Sequence, residues 1–84
     1  MNIFLCDDDC LITKQLSEYL TEYFSNIKMN TIKIFTFNTA FPLLSSSVIP
    51  DIVFLDIEMP EINGIEIAKK LYSMYHDCII MIVT

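Results

Sequence analysis

The sequence predicts an α/β domain, a doubly wound parallel sheet with helices on both faces. Four strand-like segments, at residues 3–6, 31–36, 52–55 and 78–83, alternate with three stretches of helical periodicity. Two of these strands, Ile3-Phe4-Leu5-Cys6 and Ile52-Val53-Phe54-Leu55, are unbroken apolar runs of the kind that a sheet covered on both faces requires. The connections are short, so β-α-β-α-β-α-β is the natural reading, and right-handed crossovers leave few topologies open.

Each element has its own local cause. The first strand ends in Asp7-Asp8-Asp9, and Asp9 is placed to cap the helix after it. In that helix Ile12, Leu16, Tyr19/Leu20 and Tyr23/Phe24 recur at core-facing spacing, while Lys14, Glu18 and Glu22 suit the outer face. Residues 31–36 alternate, with Ile32 and Ile34 on one side and Lys33 on the other, as expected of an edge strand. Asn38 is the expected N-cap of a short helix through Phe41 and Leu44. Pro42 is tolerated there because first-turn amides have no intrahelical acceptor. Residues 45–47, all serine, end that helix. The stretch 51–60, Asp-Ile-Val-Phe-Leu-Asp-Ile-Glu-Met-Pro, is a buried strand that delivers Asp56 to its carboxyl end. Asn63 then caps a helix over residues 64–75, with Ile65, Ala68, Leu71/Tyr72 and Tyr75 inward. Gly64, the sole glycine, marks a close backbone approach or an unusual dihedral. His76-Asp77 form a turn with no chemistry assigned, and a fourth buried strand closes at Thr84.

The 84 residues suffice for one small domain, and 54% hydrophobic content with one glycine and three prolines argues for a folded chain. Eleven acids against five bases, net charge −6, disfavour nucleic acid as a direct ligand and favour a cation or a basic partner. Cys6, Cys10 and Cys78 form no Cys-x-x-Cys pair, and thiols packed in a reducing compartment are expected. No apolar run is long enough for a bilayer, and no basic-then-apolar leader opens the chain. A cytoplasmic location is the resulting expectation.

Asp7-Asp8, Asp56 and Thr84 all fall at carboxyl ends of strands, while the edge strand ends in Thr36. In a flavodoxin-like order 2-1-3-4 the first and third strands are neighbours, with the fourth beside the third, and ligands bind at that switch point. Carboxylates gathered there repel one another, and a hard divalent cation relieves the conflict. Mg²⁺ suits this arrangement, because it takes one or two carboxylates, a carbonyl and several waters.

Four blocks, Phe4-Leu5-Cys6-Asp7-Asp8-Asp9, the stretch 51–60, Asn63-Gly64 and Ile80-Met81-Ile82-Val83-Thr84, carry a resemblance. In this order, and over the whole length, they resemble the receiver domain of a two-component response regulator. The residues around Asp56 and Ile34-Phe35-Thr36-Phe37 are similar to receivers that precede LytTR-type DNA-binding domains. The resemblance implies that Asp56 is the phosphoacceptor, taking a phosphoryl group from the phosphohistidine of a sensor kinase to switch an output domain. It implies Mg²⁺ held by Asp8, Asp56 and the backbone carbonyl of Glu58, with Asp7 acting through a water. Thr84 would give its hydroxyl to a phosphoryl oxygen. It also implies a switch rather than an enzyme.

The chain departs from that pattern after the fourth strand. The fifth strand, its lysine and aromatic, and the last two helices have no counterpart, so residues 1–84 are expected to be an incomplete receiver. Lys14, near the acids in sequence, is expected to be an ordinary surface lysine. An uncovered fourth strand is expected to drive self-association. Two rival readings remain. A haloacid-dehalogenase-like phosphatase also uses an Asp after a buried strand, with a second acid, here Glu58, two residues on. That family keeps its nucleophile on the first strand, however, and prefers Asp at the second position. The other rival is an interaction or dimerisation module that is not phosphorylated.

Overall fold

β1 (Asn2–Cys6) is an inner strand of a four-stranded sheet, with β2 (Lys33–Phe37) on one side and β3 (Ile52–Asp56) on the other; β4 (Ile79–Val83) pairs outside β3. All pairings are parallel, in the order β2-β1-β3-β4. The computed structural model describes residues 1–28, 31–59 and 63–83. Pro60 of the stretch 51–60, and Thr84, lie outside them.

Alternation sorts β1 between two faces. Phe4 and Cys6 join Val53 and Leu55 on the side covered by α2 (Ala40–Leu44) and α3 (Gly64–Met74), where Ala40, Leu43, Met59, Ile67 and Leu71 complete the core. Phe35 and Phe37 of β2 pack there too, with ring centroids 5.7 and 4.9 Å from Phe4. Ile3 and Leu5, both buried, face the side that α1 (Cys10–Asn26) covers. Full burial of each large apolar side chain contributes about 1.5–3 kcal/mol, so Phe4, Leu55, Ile67 and Leu71 dominate the packing.

Two of the three expected caps form. The Asp9 carboxylate accepts from Leu11 N at 2.9 Å, and Asn63 Oδ1 accepts from Glu66 N at 3.0 Å. Asn38 does not cap α2. Thr39 holds that position without a side-chain bond, and the Asn38 amide points back toward α1. β2 begins at Lys33 rather than Thr31, and its core-facing residues are Phe35 and Phe37. In α3 Leu71 faces inward as expected and is joined by Ile67, while Ile65 and Tyr72 are exposed; Ala68 and Tyr75 are half-buried and the helix ends at Met74. Ile67 and Leu71, four residues apart, share the sheet-facing row with the buried Gly64. In α1 the half-buried row is Leu16, Leu20 and Phe24, with Thr13 fully buried, whereas Ile12, Tyr19 and Tyr23 are exposed. That helix lies over β1 and β2, so residues on its far side find no sheet to cover them.

β4 is uncovered, the state expected of a fourth strand with no neighbour beyond it. Ile79, Met81, Ile82 and Val83 are 59%, 48%, 39% and 46% exposed, so the strand is an apolar edge. The sequence marks it as buried because apolar content alone does not say whether a strand has neighbours on both sides. No helix among the described residues is long and apolar enough to cross a membrane.

Candidate functional site

The parallel pairing of β1 with β3 aligns Cys6 with Leu55, so Asp7 and Asp56, the next residues outward, leave the sheet side by side. One carboxylate oxygen each from Asp7, Asp8 and Asp56 lies within 4.8 Å of the other two. Asp7 and Asp56 are half-buried and Asp8 is exposed, which leaves the cluster open to solvent on one side. Burial pushes the Asp7 carboxyl above its ordinary range. A hydrogen bond from Asp9 N opposes this, while the charges of Asp56 and Asp8 add to it.

The loop carrying these acids is held at several points. Asp7 N donates to Phe37 O at 3.1 Å, extending the β1–β2 ladder by one bond. Asp9 N donates to Asp7 Oδ1 at 2.9 Å, which turns the chain into α1. Glu58 N donates to Asp56 Oδ1 at 3.2 Å. Glu58 itself is exposed beside the site.

Gly64 brings the N-terminus of α3 against the main chain of Asp56. Its N–H donates to Ile57 O at 2.8 Å. A methyl group on Gly64 would sit 2.6 Å from both Asp56 O and Ile57 Cα, closer than van der Waals contact permits. The glycine is there for the close approach, since its φ is not positive.

Of the residues singled out from sequence, Asp7, Asp8 and Asp56 converge and Glu58 stands next to them. Thr84 lies outside the described residues. Lys14 is exposed on α1, lining a groove with Ser17 and Thr36, and no described contact joins it to the acids. His76 is an exposed turn residue, edge-on to Tyr72 at 5.4 Å. Cys6 is buried and Cys78 half-buried, with its thiol pushed up by burial and by Asp51, whereas Cys10 is exposed. Sequence reasoning missed Asn38 and Thr13, which meet behind the acidic loop. The register offered a clue, because Cys6 opposite Phe37 puts Asn38 level with Asp7.

The donor set fits a small hard cation. Opposite oxygens around an octahedral Mg²⁺ are ~4 Å apart, so acids spread over 4.8 Å need only a slight contraction, and the repulsion felt by Asp7 would be relieved.

The family model described as response regulator receiver domain matches residues 3–84. The chain belongs to that family. Among solved structures, the BeF3-activated receiver domain of DrrB superposes with a TM-score of 0.81 at 25% identity, covering 96% of this chain and 62% of that one. TrrA of Thermotoga maritima, in complex with Mg²⁺-BeF, gives 0.79 at 32% identity, covering 94% and 64%. The four-stranded parallel sheet in the order 2-1-3-4 is thus that of a flavodoxin-like receiver. Two curated proteins are similar as well, and the chain spans under a quarter of the length of either. The sensory transduction protein LytT of Oceanobacillus iheyensis is 53% identical over 34 residues, which is 40% of this receiver chain and 14% of LytT. The protein-glutamate methylesterase/protein-glutamine glutaminase of Bacillus subtilis is 28% identical over 83 residues, 98% of this chain and 22% of that protein.

Proposed function

We propose that this receiver domain accepts a phosphoryl group on Asp56 from the phosphohistidine of a sensor kinase, with Mg²⁺ bound, and relays the change to an output. The observation that carries the reading is the convergence of Asp7, Asp8 and Asp56 at neighbouring strand ends, with Asp56 directly after a buried strand. The resemblance to proteins whose structures hold BeF3 or Mg²⁺-BeF supports it, since the fluorides stand in for phosphoryl oxygens.

Asp8, Asp56 and the Glu58 carbonyl would hold the ion directly, with Asp7 reaching it through a water. Bound there, Mg²⁺ supplies charge neutralisation for the incoming phosphoryl oxygens. An Asp56 carboxylate oxygen attacks phosphorus and the P–N bond breaks. Its electron pair returns to the imidazole of the donor, leaving an acyl phosphate on Asp56. The bond from Glu58 N orients the carboxylate for attack. Thr84 would give its hydroxyl to a phosphoryl oxygen. The transfer is stoichiometric, so the domain acts as a switch and not as a turnover enzyme, in the cytoplasm where sensor kinases present their phosphohistidines. A DNA-binding output is the partner favoured by the similarity to LytT.

Incubation with acetyl phosphate and Mg²⁺, followed by intact mass, tests the reading. One phosphoryl unit should be gained by the parent chain and none by Asp56→Asn. Continuous hydrolysis of a generic phosphate ester, lost in Asp56→Asn, would instead favour a phosphatase. No gain at all would leave an interaction module.

The exposed β4 favours one partner in particular, a second copy of the chain. Ile79 N donates to Asp51 O and Val83 O accepts from Ile57 N, so residues 79, 81 and 83 turn their main-chain groups toward β3. Ile80 and Ile82 therefore turn theirs outward. A two-fold axis through Met81 would pair Ile80 of each copy with Ile82 of the other, satisfying those groups while stacking like faces together. The strand carries no charge and no proline to block this. Light scattering should report a dimer for the parent chain and a monomer for Met81→Lys; a well-folded monomeric parent at high micromolar concentration rules the pairing out.

A further inference from the structure

We propose that Asn38 is a positioning residue for the metal site, fixing Asp8 through the peptide that precedes it. The inference rests on the Mg²⁺-assisted reading above. Asn38 comes directly after β2 and is exposed at its outer edge, yet its side-chain nitrogen is engaged twice. Nδ2 donates to Asp7 O at 2.9 Å and to Thr13 Oγ1 at 3.2 Å. The orientation of the amide is chemically forced. A main-chain carbonyl only accepts, so the nitrogen and not the oxygen of Asn38 must face Asp7. Thr13 supports the same arrangement. Its hydroxyl donates to Cys10 O at 3.0 Å and offers a lone pair to Asn38, and it is the one buried polar residue among those described.

The consequence falls on Asp8. The Asp7 carbonyl belongs to the peptide plane that leads into Asp8, and the direction of that plane sets where the Asp8 side chain leaves the backbone. Asp7 N is already tied to Phe37 O and Asp7 Oδ1 to Asp9 N. The carbonyl is the main-chain handle these bonds leave, and Asn38 holds it. Asp8 itself is exposed, so without that tie it would sample more directions before meeting a cation. Groups that orient metal ligands from behind commonly change metal affinity by about 10-fold or more when removed.

Isothermal titration of Mg²⁺ into the full chain, with Asn38→Ala and the isosteric Asn38→Asp, tests this. Both variants should weaken Mg²⁺ binding by about 10-fold, and the plateau rate of Asp56 phosphorylation at saturating Mg²⁺ should stay near that of the parent. A purely structural role would lower thermal stability without that split between metal affinity and plateau rate. In the parent chain, which needs no substitution, the Asn38 side-chain amide resonances and the Asp8 amide nitrogen should shift together as Mg²⁺ is added. Mg²⁺ affinity within two-fold of the parent in a folded variant, or Asn38 resonances that ignore the titration, overturns the role of Asn38 alone. A parent chain that binds no Mg²⁺ overturns the metal reading and this inference with it.

Discussion

Replacing Gly64 with alanine adds one methyl group at the point where α3 meets the phosphoacceptor strand. The methyl carbon would stand 2.6 Å from Asp56 O and Ile57 Cα and 3.1 Å from Asp56 C. Ordinary contact lies near ~3.5 Å, so the first turn of α3 must retreat by about 1 Å. All three atoms are main chain, so no side chain can swing away. The Gly64 N–H bond to Ile57 O, now 2.8 Å, would stretch beyond useful length. Overpacking of this kind costs about 1–3 kcal/mol, and the lost hydrogen bond about 1 kcal/mol more. Alanine returns at most about 1 kcal/mol through better helix propensity and a less free unfolded chain. Destabilisation by roughly 1–4 kcal/mol is the result, a fall in Tm of about 5–30 °C for a chain of this size. Circular dichroism melts at matched concentration measure it, and phosphoryl uptake should slow because the retreat of α3 removes the bond that holds the Ile57 carbonyl beside Asp56. An unchanged or higher Tm would refute the steric argument. It would mean that Gly64 is simply a poor helix former, since its φ imposes no penalty on alanine.

Other substitutions separate the site from the scaffold. Asp8→Asn should weaken Mg²⁺ binding by about 10-fold or more while leaving the Mg²⁺-free melt no lower, and an unaltered binding isotherm argues against Asp8 as a ligand. Asp7→Asn should raise Tm at pH 7 in Mg²⁺-free buffer. A carboxyl whose native pKa is raised loses stability as pH climbs through its ordinary value of 3.8 toward the native one, so the gain should vanish below 3.8. Melts over pH 3–8 that show no such convergence would remove burial and repulsion at Asp7 as the cause. Ile67→Ala, at a fully buried position, should cost about 2–5 kcal/mol in urea denaturation, and a loss under 1 kcal/mol would mean that α3 is packed less tightly than its burial implies.

The layers and the sheet order were legible because period and punctuation agree. Apolar runs stop at acids, Asp9 and Asn63 cap the helices they precede, and the lone glycine sits at a backbone crossing that excludes a methyl. The acids of the candidate site were legible for the same reason, since neighbouring parallel strands bring consecutive strand ends together. Helix faces were read less well. Ile65 and Ile67 are equally apolar, and it is Ile67, four residues before the inward Leu71, that turns to the sheet. Tyr19 and Tyr23 share a periodic row with Leu20 and Phe24, yet the width of the surface beneath α1 determines how much of that row is covered. Asn38 misled in a different way. An Asn before a helix looks like a cap, but a bond to a residue 31 positions away competes for the same amide, and no local pattern reveals it.

The alternation of β4 gives the chain an internal gauge of its own edge. Ile79, Met81 and Val83 direct their main-chain groups at β3, while Ile80 and Ile82 direct theirs away. In deuterated solvent the strand should behave as a comb wherever this edge is uncovered, as in Met81→Lys, with slow amides at odd positions and fast ones at Ile80 and Ile82. Anything that lies against this edge must bond to those two residues first. Their exchange rates would then report coverage of the sheet directly, whatever does the covering, and independently of molecular mass.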